Sequence, residues 1–103
     1  MGLLSWVMGC KDINSQELKA KRGRKEDFFL LDVRTPGEYR SRKIDGAKLI
    51  PLNELDARAK EVPKNKEVVV YCASGMRSLF ACRKLKSLGY DRVKNLSGGI
   101  SQW

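Results

Sequence analysis

Residues 68–71, Val-Val-Val-Tyr, form an unbroken apolar run in which every position but the last is β-branched. A strand without a polar position has no face to turn toward water, so it must be covered on both sides. That requirement points to the centre of a parallel sheet with helices above and below it. Residues 28–31 (FFLL) form a second continuous apolar run ending at Asp32 and predict a neighbouring buried strand. Shorter strands are expected at 48–50 and 92–96.

Helix signals fall between these strands. Asn14 and Glu17 have the spacing of a capping box, which predicts a helix over 15–22 that stops at Gly23. Thr35-Pro-Gly-Glu38 repeats the signal with proline at the first helical position, predicting a short turn through Arg40. Asn53 reads as the cap of a helix over 54–61, which Pro63 ends. Leu79, Cys82, Leu85 and Leu88 recur at helical spacing until Gly89, with Phe80 and Ala81 widening the stripe. Strands alternating with helices imply an α/β fold of three layers, α/β/α, around a mainly parallel sheet of about five strands. With 103 residues there is room for one domain. It is expected over residues 12–103, after an apolar N-terminal arm at 1–11. The opening MGLLSWVMG is far short of the roughly 20 apolar residues that span a bilayer. It also lacks the basic start of a secretory signal.

The chain has no histidine, which removes the imidazole general base, the Ser-His-Asp triad and histidine-ligated metals. Its formal charge of +9 favours anionic partners. From Val68 onward six lysines and arginines face one acid, Asp91, so the anion is expected in that half. The basic run 19–25 (KAKRGRK) sits at a helix end, where cations complement the dipole and stay solvated, and nucleic acid is not the expected ligand. Cys10, Cys72 and Cys82 contain no C-x-x-C pair. They read as free thiols of a reducing, cytoplasmic compartment, with Cys82 a packing residue on its helix and Cys10 unpaired.

Cys72 stands where the strongest strand ends, the edge at which open parallel sheets hold their ligands. The following Ala73-Ser-Gly-Met-Arg77 is a loop in which Gly75 can take positive φ and the small Ala73 and Ser74 let the backbone curl. Successive amides then converge on one point in front of a helix start near Ser78, which makes an anion cradle. The helix dipole adds about 0.3–1 kcal/mol at a surface, and up to about 2 when partly buried. Each 1.36 kcal/mol of preference for the thiolate lowers a thiol pKa by about one unit. Cys72 is therefore expected to ionise without any histidine. Asp32 and Arg34, flanking a strand end, are expected to pair structurally.

These pieces resemble the single-domain rhodaneses, which are thiosulfate sulfurtransferases. The matching segments are LLDVRTPGEY (30–39), IDGAKLIP (44–51), VVVYCASGMRS (68–78), Leu85, Gly89 and LSGGISQW (96–103). The resemblance implies a rhodanese-like fold in which Cys72 is the nucleophile. Such a cysteine takes the outer sulfur of thiosulfate, releases sulfite and holds a persulfide until cyanide or a thiol removes it. Arg77 would help bind the anionic donor, and the backbone of Ala73, Ser74, Gly75, Met76, Arg77 and Ser78 would cradle the persulfide. No cofactor or metal is implied, and a sulfur-relay protein is a conceivable partner. Two other uses of the pocket stay open. One is a carrier module without turnover on thiosulfate. The other is the phosphatase or arsenate reductase chemistry of related folds that carry C-x5-R. The spacing here is C-x4-R, a smaller ring better suited to one sulfur atom, and Tyr71 stands where those phosphatases have histidine.

Overall fold

The apolar run at 68–71 lies inside β4, Glu67–Tyr71, at the centre of a five-stranded sheet in the order β1-β5-β4-β2-β3. The architecture is that of a computed structural model, which describes residues 9–103. Every pairing is parallel: β2 (Phe28–Asp32) and β5 (Val93–Leu96) flank β4, while β1 (Lys11–Ile13) and β3 (Lys48–Leu49) form the edges. Side chains alternate across the sheet as the strand period demands. Val68, Val70 and Cys72 face a cluster with Leu79, Cys82 and Leu85 of α4 (Met76–Ser87) and Leu55 of α3 (Leu55–Arg58). Val69 and Tyr71 face the other way, against Leu18 of α1 (Ser15–Gly23), Ile44 and Ile100. Tyr39 of α2 (Pro36–Ser41) packs on that second cluster. Both faces of the sheet are thereby covered, and the three-layer arrangement follows.

Both capping boxes form: Asn14 with Glu17 opens α1, and Thr35 with Glu38 opens α2. The segment after Asn53 differs from expectation. It is a 3-10 turn at Leu52–Glu54, the single α-turn α3, and a second 3-10 turn at Ala59–Glu61, with no side-chain cap. Asn53 makes no capping bond, so the first turn has no local group to hold it in α-helical form, while Leu55 and Val62 are both buried. The basic run also needs correction, because Lys21 is buried rather than solvated. It bridges Glu26 at 2.7 Å and Glu67 at 2.6 Å, tying α1 to β4.

Asp32 and Arg34 are both buried and pair side by side, with Arg34 Nη2 2.6 Å from Asp32 Oδ2. The same nitrogen donates to the Arg42 carbonyl at 2.6 Å, so the pair closes the end of α2 onto β2.

The reading of Cys10 and Cys82 as free thiols is overturned. The two form a disulfide across 72 residues, with Cα atoms 6.2 Å apart, and only Cys72 is free among the described cysteines. Parallel pairing of β1 with β5 brings the N-terminal segment alongside the sheet, where Cys10 is buried in the same cluster as Cys82. The rest of the expected N-terminal arm, residues 1–8, lies outside the described residues. Closing so long a loop is expected to stabilise the fold by about 2–4 kcal/mol. Urea unfolding with and without reductant measures it: the midpoint should fall on reduction, and in a Cys10→Ser variant reductant should have no further effect. Among the described residues no helix is long and apolar enough to cross a membrane.

Candidate functional site

Cys72 follows β4 directly, and Gly75 is the residue that lets the chain turn from that strand into α4. Gly75 adopts φ 111° and serves as the helix N-cap. This left-handed backbone admits glycine without the penalty a side chain would incur. The resulting loop folds back over the sulfur. The Gly75 amide donates to Cys72 Sγ at 3.1 Å, and the Ser78 hydroxyl lies 3.4 Å from it. The helix begins at Met76, two residues earlier than the sequence suggests, so Ser78 belongs to its first turn.

Burial of Cys72, of which only 1% is exposed, pushes its thiol pKa up. The Ser78 hydroxyl and the amides of Ser78, Gly75 and Ser74 oppose this and hold it below the ordinary value on balance. The charge-stabilising groups are thus mostly main-chain donors at a helix N-terminus, which need no reorganisation to receive an anion.

The remaining loop residues divide by what they do. The Ala73 carbonyl accepts the Ser101 amide at 3.1 Å, and the Cys72 carbonyl accepts the Ile100 amide at 2.9 Å. The C-terminal turn at Gly99–Gln102 therefore clamps the start of the loop from behind. The Met76 side chain is 52% exposed. Arg77 is partly exposed, interacts with the Cys72 sulfur, and gives both terminal nitrogens to Glu38. Tyr71, one residue before the cysteine, faces the opposite side of the sheet, where its buried hydroxyl accepts the Ile44 amide. Strand alternation places it away from the loop, so it cannot act as a base there.

Two participants escape a reading of the sequence. Asn95 on β5 is buried; its Oδ1 lies 2.5 Å from Ser78 Oγ and its Nδ2 donates to the Gly75 carbonyl at 3.2 Å. It positions both the hydroxyl and the glycine of the cradle. An asparagine inside a strand, where that residue is depleted, is the one signal the sequence offers for it. Glu38 reads from its spacing as a cap alone, and its second partner lies 39 residues away. The one hydroxyl proton of Ser78 is shared between Asn95 Oδ1 and the Cys72 sulfur, which draws it more strongly once ionised; Ser78→Ala removes it and is expected to move the pH profile of Cys72 alkylation to higher pH. An unchanged profile would show that the amides alone set it.

Geometry of this kind defines a parallel α/β protein with a thiol seated in an amide cradle at a strand's carboxyl end. Comparison with known proteins makes the class specific: the model for the Rhodanese-like domain matches residues 14–103, and the chain belongs to that family. A sulfurtransferase from Allochromatium vinosum is 42% identical over 92 residues, which cover 89% of this chain and 86% of that one. The thiosulfate sulfurtransferase PspE of Escherichia coli is 43% identical over 70 residues, 66% of this chain and 67% of its own length. A rhodanese-like domain protein from Staphylococcus aureus superposes with a TM-score of 0.85 at 33% identity, covering 90% of each chain. The family relationship supports sulfur transfer as the general function.

Proposed function

We propose that the protein moves sulfane sulfur from thiosulfate or a similar donor to a thiol or cyanide through a persulfide on Cys72. The observation that carries this reading is the free Cys72 thiol with the Gly75 amide at 3.1 Å and the Ser78 hydroxyl at 3.4 Å. The Cys72 thiolate attacks the outer sulfur of thiosulfate. The sulfur–sulfur bond breaks, and sulfite leaves with the bonding pair. The persulfide's terminal sulfur carries the negative charge, which the loop amides and the positive end of α4 stabilise. An acceptor thiolate or cyanide then attacks that terminal sulfur and returns Cys72 as thiolate. Neither half-reaction needs a proton shuttle, which suits a chain without histidine. The likeness to PspE supports thiosulfate as one donor.

Intact-mass measurement after thiosulfate treatment, followed by peptide mapping, tests the reading. One added sulfur located on Cys72, with sulfite released in equal amount, is the expected result. Loading without thiocyanate production from cyanide would leave a sulfur carrier in place of an enzyme. Hydrolysis of an aryl phosphate with no sulfur loading would replace the reading with phosphatase chemistry.

A further inference from the structure

Arg77 is the only cationic side chain between Cys72 and Ser78, and its charge is already matched. Nη1 donates to Glu38 Oε1 at 2.8 Å and Nη2 to Oε2 at 2.9 Å. This two-pronged geometry is the strong form of a guanidinium–carboxylate pair. The carboxylate is held from its other side as well: Oε1 accepts the Thr35 amide at 2.9 Å, as part of the box that opens α2. Arg77 first, and the Thr35 amide second, draw the Glu38 pKa down to about 2, so it stays ionised at any working pH. A dianion arriving at the rim meets a pair with no net charge, so Glu38 cancels the attraction Arg77 alone would offer.

The hollow beside this pair, about 330 Å³, points the same way. Val33, Pro51 and Leu52 give it apolar walls, and its second arginine, Arg34, is neutralised by Asp32. Among the described residues that line it, a sulfonate group finds no free cation, whereas a short carbon skeleton finds apolar surface.

On the footing of the Cys72 persulfide reading, we propose that Glu38 determines donor specificity. By neutralising Arg77 it disfavours dianionic thiosulfate and leaves a low-molecular-weight thiol persulfide as the better substrate. Such a donor, R–S–S⁻, carries its charge on the sulfur that enters the cradle and lays R in the hollow. The Cys72 thiolate attacks the terminal sulfur, the donor's sulfur–sulfur bond breaks, and RS⁻ leaves with the pair, so charge is conserved.

Glu38→Gln keeps an oxygen for the Thr35 amide and removes the charge. Sulfur loading of Cys72 is followed by mass against concentration for two donors, thiosulfate and 2-mercaptoethanol persulfide, at low and high salt. The variant's half-saturating thiosulfate concentration should fall about fivefold at low ionic strength, and the gain should shrink in high salt. The persulfide value should change by less than about twofold, since that donor places no charge on the pair. If Glu38→Gln does not fold, Glu38→Asp carries the test, because a carboxylate one methylene shorter cannot keep the two-pronged pair with Arg77. It should lower the thiosulfate value in the same salt-dependent way and change the persulfide value by less than about twofold. Loading from both donors with no shift in their ratio, or a shift indifferent to salt, would overturn the Glu38 proposal alone. Loading of wild type from neither donor would overturn the persulfide reading and this proposal with it.

Discussion

A Cys72→Ser protein should fold, keep its Cys10–Cys82 disulfide, and take up no sulfur from any donor. Oxygen in place of sulfur preserves the size class of the side chain and leaves the Gly75 amide and Ser78 hydroxyl with an acceptor. The chemistry does not survive. A serine hydroxyl is far less acidic than the thiol, the chain has no histidine to deprotonate it, and an oxygen nucleophile cannot form the persulfide. Thiocyanate formation should drop by at least about a thousandfold, to the rate without protein. Neither remaining cysteine can compensate, because both are buried and bonded to each other. Initial rates of thiocyanate formation and intact mass together check this. Loading retained in the variant would place the chemistry elsewhere and remove Cys72 from the mechanism.

Gly99→Ala should produce the largest loss of stability from a single methyl group. Gly99 has φ +60°, and a Cβ built there would lie 2.5 Å from the carbonyl oxygens of both Cys72 and Ala73 and 2.6 Å from the Ala73 carbonyl carbon. All three are main-chain atoms of the loop, so no side chain can turn aside to make room. Left-handed backbone costs an alanine about 1–2 kcal/mol, and forcing an atom into packed structure about 1–3 more. Displacing the turn would also weaken the bonds from the Ile100 and Ser101 amides to those two carbonyls. A loss of about 4 kcal/mol corresponds to about 15–30 °C in melting temperature for a domain of this size. Thermal unfolding measures it, and Gly37→Ala is the control. Gly37 lies in α2 with nothing nearer than 3.9 Å to an added Cβ, so that variant should be no less stable than wild type. Sulfur loading of any folded Gly99→Ala protein should fall too, because the clamp behind Cys72 is what fixes the cradle.

Local rules make much of the molecule legible from residue order alone. The apolar run at 68–71 could only be a strand covered on both faces, and both capping boxes close over three residues with groups the sequence names. Cys72, Gly75 and the start of α4 belong to one turn of chain, so the cradle follows from the order of residue types. The segment after Asn53 does not. Its residue types fit a helix, yet the expected cap at Asn53 does not form and the segment breaks into two 3-10 turns around a single α-turn.

Residue order alone specifies the parallel α/β sheet, the thiol at its carboxyl edge and the left-handed glycine beside it, because periodicity, capping and backbone sterics act across a handful of neighbouring residues. Long-range packing sets the rest: Cys10 binds Cys82, Lys21 is buried between two glutamates, Asn95 braces the loop, and Arg77 pairs with Glu38. Those pairings join groups on different elements, mostly dozens of residues apart. Folding chooses among many candidate partners of similar chemistry by burying one set together, and spacing along the chain carries no record of that choice.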